Sequence, residues 1–247
     1  MSHYFITGTS SGIGAALAGA LCRDGHKVSG MARRHDRQQA LASTAPGFTA
    51  ITGDVTDEQA TNRAVSEAIK QNGAIDTIIL NAGIYTPQDS SSIDTPAYRQ
   101  HMEVNYMGVV HGLAAALPAM VERGRGRVVI IASVAGWRGL PRAAAYGPTK
   151  AALISLATSL RFDLEPKGIT VQVISPGFVD TEATAVNDFT MPQLMTIDAA
   201  AAEIIAGMQT SRVEISFPRR FALTMRLISL LPWSLYFRLV GMRTGAK

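Results

Sequence analysis

Cysteine is nearly absent: Cys22 is the only one in 247 residues. A lone thiol excludes an intramolecular disulfide and suits a reducing compartment. Inside a stretch with helical patterning, Cys22 reads as a small core residue. The five histidines, His3, His26, His35, His101 and His111, lack the spacing of a metal-ligand set, so no metal is expected. The N-terminus enters Tyr4-Phe5-Ile6-Thr7-Gly8 without a basic segment followed by an apolar one, so no secretory leader is expected. No apolar run reaches the roughly eighteen residues of a spanning helix. These absences suggest a cytoplasmic location, with peripheral contact at the inner membrane face left open by the C-terminal residues.

A strong charge of one sign is missing from the body as well. The net charge is +4, but the segment from Arg212 to Lys247 holds seven basic side chains against Glu214, a net +6, which leaves −2 on the first 211 residues. A basic tail on a slightly acidic body argues against a nucleic-acid-binding surface. With 47% hydrophobic and 17% charged residues, no internal repeat and no extended polar tract, the chain can bury a large core.

What is present is an alternation of short apolar runs with helical segments. Runs at 4–7, 27–32, 48–52, 76–80, 128–132, 170–175 and 213–217 read as strands. Between them, helices are expected from the glycine turn to about Asp24, from a cap at Asp57 to about Asn72, over about 96–121 with a bend near Gly108 and Pro118, over about 145–165, and from a cap at Thr196 to about Gln209. The strands are apolar throughout rather than alternating, as in a parallel sheet covered on both faces.

The first strand runs into Gly8-Thr9-Ser10-Ser11-Gly12-Ile13-Gly14 and then a helix. Backbone N–H groups and the helix dipole at such a junction face a phosphate. The glycines allow the tight turn and the close approach of a pyrophosphate. The spacing is Gly-x-x-x-Gly-x-Gly rather than Gly-x-Gly-x-x-Gly, and dinucleotide binding is favoured over a purely structural turn. The second strand ends at Ala32-Arg33-Arg34, where an acid would hold a ribose 2′-hydroxyl. No acid occurs before Asp36, and a guanidinium suits a 2′-phosphate. NADP(H) is therefore expected in preference to NAD(H), against the plainer reading of Arg33 and Arg34 as a solvated loop.

Tyr146 and Lys150 fall on one face if a helix runs from Tyr146 onward. The ammonium is then expected to lower the phenol pKa from about 10, so that it exchanges a proton at working pH. Ser133 closes the run 128–132 and would place a hydroxyl beside the same substrate oxygen. Asn105, in Val104-Asn105-Tyr106-Met107-Gly108, reads from its residue type as a structural hydrogen-bonder. Tyr-x-x-x-Lys also occurs as a surface pair in many helices, so its weight rests on context.

In this order the residues resemble the short-chain dehydrogenase/reductase family over about 1–217. The resemblance rests on Thr7-Gly8-x-x-x-Gly12-Ile13-Gly14 with Ser10 and Ser11 inside it, on Asp54-Val55 near the adenine, and on Asn81-Ala82-Gly83 beside the central sheet. It also rests on Asn105, Ser133, Tyr146 and Lys150 as a catalytic tetrad, and on Pro176-Gly177, Val179 and Thr181 near the nicotinamide carboxamide. It implies one α/β domain of Rossmann type, a doubly wound seven-stranded parallel sheet of order 3-2-1-4-5-6-7 flanked by helices. By resemblance Tyr146 is the general acid/base, Ser133 orients the carbonyl, Lys150 holds the ribose hydroxyls and lowers the tyrosine pKa, and Asn105 holds a water in a proton relay. The implied activity interconverts a small-molecule ketone or aldehyde and a secondary alcohol with NADP(H). A lipophilic substrate is taken from Ala183, Val186, Phe189, Met191 and Leu194, in a stretch, 182–195, that reads as a mobile loop. Homodimers or homotetramers through faces such as 96–121 and 145–165 are common in the family. A non-catalytic NADP(H)-binding sensor, or a membrane-associated scaffold on the same fold, is the alternative.

Residues 218–247 extend beyond that resemblance. Apolar and aromatic residues there interleave with Arg219, Arg220, Arg226, Arg238 and Arg243, and Pro232 is expected to divide the segment into two helices. Such a basic, amphipathic, Trp-containing segment folds over the cleft, forms a subunit interface, or lies on an anionic membrane surface.

Overall fold

The computed structural model describes residues 1–244; Lys247 of the basic tail and the Arg243 side chain lie outside the described residues. Among the described residues seven parallel strands form one sheet: β1 (His3–Thr7), β2 (Lys27–Ala32), β3 (Phe48–Thr52), β4 (Thr77–Leu80), β5 (Gly126–Ile131), β6 (Ile169–Pro176) and β7 (Glu214–Phe217). Their order is β3-β2-β1-β4-β5-β6-β7. Successive strand residues point to opposite faces, so each central strand feeds two cores. Ile78, Leu80, Val128 and Ile130 enter the core under α3 (Glu58–Asn72), α5 (Gly108–Arg123) and α6 (Gly147–Leu164). Ile79, Val129 and Ile131 enter the core under α1 (Gly12–Arg23) and α7 (Ile197–Met208). Continuous apolar runs result because neither face meets water.

The chain leaves β3 at one edge and resumes at β4 beside β1. That reversal opens a crevice at the carboxyl ends of the strands, where α/β sheets bind ligands. The caps are those the sequence marks: the Asp57 side chain accepts from the Ala60 amide at 2.9 Å, and Thr196 accepts from the Ala199 amide at 3.2 Å. Gly25, with φ +79°, follows α1.

Three differences from the sequence reading bear on the site. A helix, α2 (His35–Thr44), lies between β2 and β3; of its residues Gln38 is the buried one, so periodicity gave it no signal. The helical run over 95–123 is α4 (Thr95–Met102), a π turn at Glu103–Met107 and α5, and the π turn carries Asn105. This run is long and apolar enough by composition to cross a bilayer, contrary to the expectation of no such run, yet half of its most apolar stretch is buried inside the protein. Finally, α6 begins at Gly147, so Tyr146 is its N-cap rather than its first turn.

Candidate active site

The glycine turn closes on the end of β4. A Cβ at Gly8, where φ is +78°, would meet the Ala82 Cα at 2.9 Å, and one at Gly14 would collide with the Gly8 carbonyl. The Asn81 side-chain amide donates to the Thr7 carbonyl at 3.0 Å and the Gly8 carbonyl at 3.3 Å, while the Asn81 and Ala82 N–H groups donate to the Thr7 hydroxyl at 3.0 and 3.1 Å. Asn81-Ala82-Gly83 thus fixes the turn. Ser11, the N-cap of α1, makes no side-chain hydrogen bond to the first turn. The N–H groups there are available to an anion. Close backbone approach and a bare helix start fit the pyrophosphate of a dinucleotide. A residue that periodicity could not single out, Gln38, braces the same turn: Thr9 donates to its side-chain oxygen at 2.8 Å, and its amide donates to the Ala32 and Ile51 carbonyls.

The arginines at the end of β2 divide their work. Arg34 donates from Nε to the Ser10 hydroxyl at 3.1 Å and from Nη2 to the Ser11 hydroxyl at 2.6 Å. Arg33 is largely exposed and pairs loosely with Asp54 at 3.8 Å. Asp54 also accepts from the Thr56 amide and hydroxyl, and the Val55 carbonyl is bonded to His111. Arg37, on α2, adds a third guanidinium, ion-paired with Glu182.

At the carboxyl end of β5, Ser133, Tyr146 and Lys150 come together. The Ser133 hydroxyl accepts from the Ala135 amide at 3.1 Å, so its oxygen is fixed in direction. Lys150 is 4% exposed, and its Nζ donates to the Ile131 carbonyl at 2.8 Å and sits 5.5 Å from the Tyr146 ring centroid. Burial draws its pKa down to about 8. The Tyr146 phenol is not lowered, as the sequence led us to expect, but raised to about 12: burial dominates, a hydrogen bond with Ser133 opposes it, and Tyr85 reinforces it. The helix register does bring Lys150 under the ring, but its ammonium turns to a backbone carbonyl, and desolvation of the phenolate outweighs any attraction. Tyr85 packs edge-on against Tyr146, 5.1 Å between centroids.

Asn105 is fully buried. Its carbonyl oxygen accepts from the Ile84 amide at 2.7 Å, and its amide donates to the Ile84 carbonyl and the Thr149 hydroxyl. A Cβ at Gly83 would lie 3.3 Å from the Asn105 oxygen and 3.6 Å from Lys150 Nζ, so Gly83 leaves the space in which these two groups converge.

The 182–195 stretch contacts the rest of the protein through polar side chains at three points. Glu182 pairs with Arg34 at 2.9 Å and with Arg37, Asn187 accepts from the Tyr85 hydroxyl at 3.1 Å, and Asp188 pairs with Arg142 at 2.7 Å. Just before it, Val179 is buried under the sheet, and Thr181 stands 3.4 Å from where a Cβ on Gly12 would be, across the glycine turn. Pro176 and Gly177 lead out of β6 into an aromatic wall in which Phe178 meets Phe189 at 5.7 Å and Phe221 at 5.6 Å.

The tail closes the other side. Its helices, α8 (Arg219–Ser229) and α9 (Trp233–Thr244), break at Pro232 as the sequence indicates. The loop after Ser133 holds them. Arg138 donates to the Ser229 and Leu231 carbonyls and lies 4.2 Å from both the Trp233 and Tyr236 ring centres, and Tyr236 donates to the Gly139 carbonyl at 2.5 Å. Glu214 joins Trp137, Ser175 and Arg226. The segment therefore packs against the loop that follows Ser133. Its outer face still exposes Leu223, Leu227, Leu230, Trp233 and Phe237.

A sequence profile of the short chain dehydrogenase family matches residues 2–190. An uncharacterized oxidoreductase from Myxococcus xanthus is 37% identical over 235 residues, 94% of this chain and 93% of that protein. The crystal structure of a short-chain dehydrogenase from Streptomyces avermitilis superposes with a TM-score of 0.85 at 26% identity, covering 99% of this chain and 97% of its own. The closed form of a serine dehydrogenase complexed with NADP+ superposes at 0.78 and 25% identity, covering 87% and 92%.

Proposed function

The chain belongs to the short-chain dehydrogenase family of oxidoreductases, and on that premise we propose that it interconverts a lipophilic ketone or aldehyde and its alcohol with NADP(H). The observation that carries this reading is the convergence of the Ser133 hydroxyl, the Tyr146 phenol and the buried Lys150 ammonium at one strand end, beside a bare helix N-terminus. The nicotinamide cofactor supplies or accepts the hydride. The chain's own groups do the rest. Tyr146, with its proton firmly held, gives that proton to the carbonyl oxygen in reduction. Ser133 donates a hydrogen bond to the same oxygen, and the Lys150 charge favours the phenolate that remains. Asn105 positions the β4 end and Thr149 rather than touching substrate. The arginines at the end of β2 supply the charge for a 2′-phosphate, Arg34 and Arg37 more directly than Arg33.

The aromatic wall of Phe178, Phe189 and Phe221, and the separate Tyr85 ring against Tyr146, support an apolar substrate. Oxidation of NADPH followed by absorbance is expected with aliphatic and aryl aldehydes and ketones, with KM falling as the chain lengthens, since each buried methylene favours binding by about 0.8 kcal/mol. No turnover of NADPH with any carbonyl, or of NADP+ with any alcohol, would leave the non-catalytic sensor as the better reading.

The outer face of α8 and α9 supports contact with an anionic bilayer. Leu223, Leu227, Leu230, Trp233 and Phe237 are exposed beside Arg219, Arg220 and Arg238, Arg226 being paired with Glu214, and no acid interrupts residues 218–244. Apolar insertion and attraction to lipid phosphate act together on such a face. The protein is expected to sediment with phosphatidylglycerol-containing vesicles, less so at high salt, and not with phosphatidylcholine alone. The Leu227→Glu/Phe237→Glu variant should stay in the supernatant. Equal partitioning of variant and wild type would refute the contact.

A further inference from the structure

Glu182 belongs to the segment after β6, and the arginines it pairs with to the end of β2 and the start of α2. It follows Thr181, which crosses the glycine turn, and its two oxygens reach Arg34 at 2.9 Å and Arg37. These are the guanidiniums at the end of β2, where an adenosine ribose would bring its 2′ substituent. We propose that the Glu182 carboxylate is an internal competitor for the 2′-phosphate of NADP(H), and that binding of the phosphate releases the amino end of the 182–195 segment. The inference rests on the NADP(H) reading above and assigns to it a residue that controls its specificity.

Three observations carry it. First, the occupant is of the right chemistry: a carboxylate takes the geometry on paired guanidiniums that a phosphate takes. The arginines hold its pKa down at about 2, Arg37 more than Arg34, so it is charged at every relevant pH. Second, the exchange is favourable in direction. A phosphomonoester carries about −1.5 to −2 charges and three acceptor oxygens, against −1 and two for Glu182. The pair is also half-exposed, with side-chain exposures of 40%, 45% and 53% for Arg34, Arg37 and Glu182, so solvent and salt weaken it and a ligand can replace it. Third, release is local. Asn187 and Asp188 keep their own bonds to Tyr85 and Arg142, which are remote from the β2 end in sequence and contact. A ligand without a 2′-phosphate leaves Glu182 in place, so ADP and NADH bind without displacing it and without releasing the segment.

The test compares adenosine 2′,5′-bisphosphate with ADP, and NADPH with NADH, by calorimetry on the wild type and on Glu182→Gln. The substitution keeps the side chain's size and removes its charge. We expect Glu182→Gln to bind adenosine 2′,5′-bisphosphate and NADPH about three- to tenfold more tightly than the wild type, with ADP and NADH changed less than twofold. Hydrogen exchange of amides 182–186 should speed up when the bisphosphate, but not ADP, is added to the wild type, and should already be fast in the variant. If the wild type prefers the 2′-phosphorylated ligands but Glu182→Gln binds them equally or more weakly, the competitor is overturned and the NADP(H) reading stands. If neither protein distinguishes the ligands of a pair, both fall.

Discussion

Replacing Tyr146 by phenylalanine is expected to lower kcat/KM for carbonyl reduction about 10³-fold while leaving cofactor affinity and melting temperature near those of the wild type. The magnitude combines a lost general acid, about 10²–10⁴-fold, with a lost donor to the developing oxyanion. A factor of 10³ is about 4 kcal/mol of transition-state free energy. The ring stays, so the edge-on contact with Tyr85 at 5.1 Å stays with it. The phenol oxygen meets Ser133, which keeps its own bond from the Ala135 amide when the partner is removed. Little holds the fold through that oxygen, and a large activity loss with an unchanged melting curve would separate chemistry from stability. A loss smaller than tenfold would show that another group delivers the proton.

Replacing Lys150 by methionine is expected to have opposite effects on activity and stability. Activity should fall at least 10²-fold, because no ammonium remains to favour the phenolate formed when Tyr146 gives up its proton. The ligand-free protein should become more stable at neutral pH. Burial holds the Lys150 pKa at about 8 against an ordinary 10.5. Between these values the unfolded chain keeps the proton and the folded one releases it, so wild-type stability rises with pH across that window and carries the whole penalty below it. The penalty is on the order of 3 kcal/mol. Losing the donor to the Ile131 carbonyl returns about 1 kcal/mol or more of it. The net gain for methionine is then about 1–2 kcal/mol, a rise of roughly 2–6 °C in Tm at pH 7. The difference should shrink by pH 10, which calorimetry at the two pH values would read. In the wild type the same titration predicts that carbonyl reduction declines as pH passes about 8, where the lysine loses its charge. A methionine variant less stable than the wild type at pH 7 would mean that the carbonyl contact outweighs the buried charge.

The parts of this account that the sequence made legible are the local ones. β2 and β3 have the bounds read from their runs, in which polar residues are few: Lys27 and Ser29 in β2, Thr49 and Thr52 in β3. Asp57 and Thr196 mark helix starts because a cap needs one side chain and one amide three residues on. Ser133, Tyr146 and Lys150 lie at one strand end and the helix start that follows it, and Asn105 in the π turn before them, so their order along the chain made them legible as candidates. Less legible were the contacts made at long range. Arg37 and Glu182 are 145 residues apart, and only the placement of α2 beside the cleft brings them together. Gln38 is the one fully buried residue of its helix, on which Leu41 and Ala42 are only partly buried. The raised phenol of Tyr146 depends on how deeply it is buried and where Lys150 points, and neither is written in an i, i+4 spacing. At the end of β2 the sequence offers Arg33 and Arg34 alike; the fold sets Arg33 beside Asp54 and Arg34 on the serines of the glycine turn.

The central claim is direct hydride exchange between NADP(H) and a carbonyl, with Tyr146 as the proton donor. It is tested most directly by running the carbonyl panel with NADPH carrying deuterium at both C4 positions of the nicotinamide and examining the alcohol by mass spectrometry. The account predicts one deuterium on the carbinol carbon from the wild type and none above background from Tyr146→Phe in the same time. An alcohol that takes its carbon-bound hydrogen from solvent, or equal labelling by wild type and variant, would contradict it.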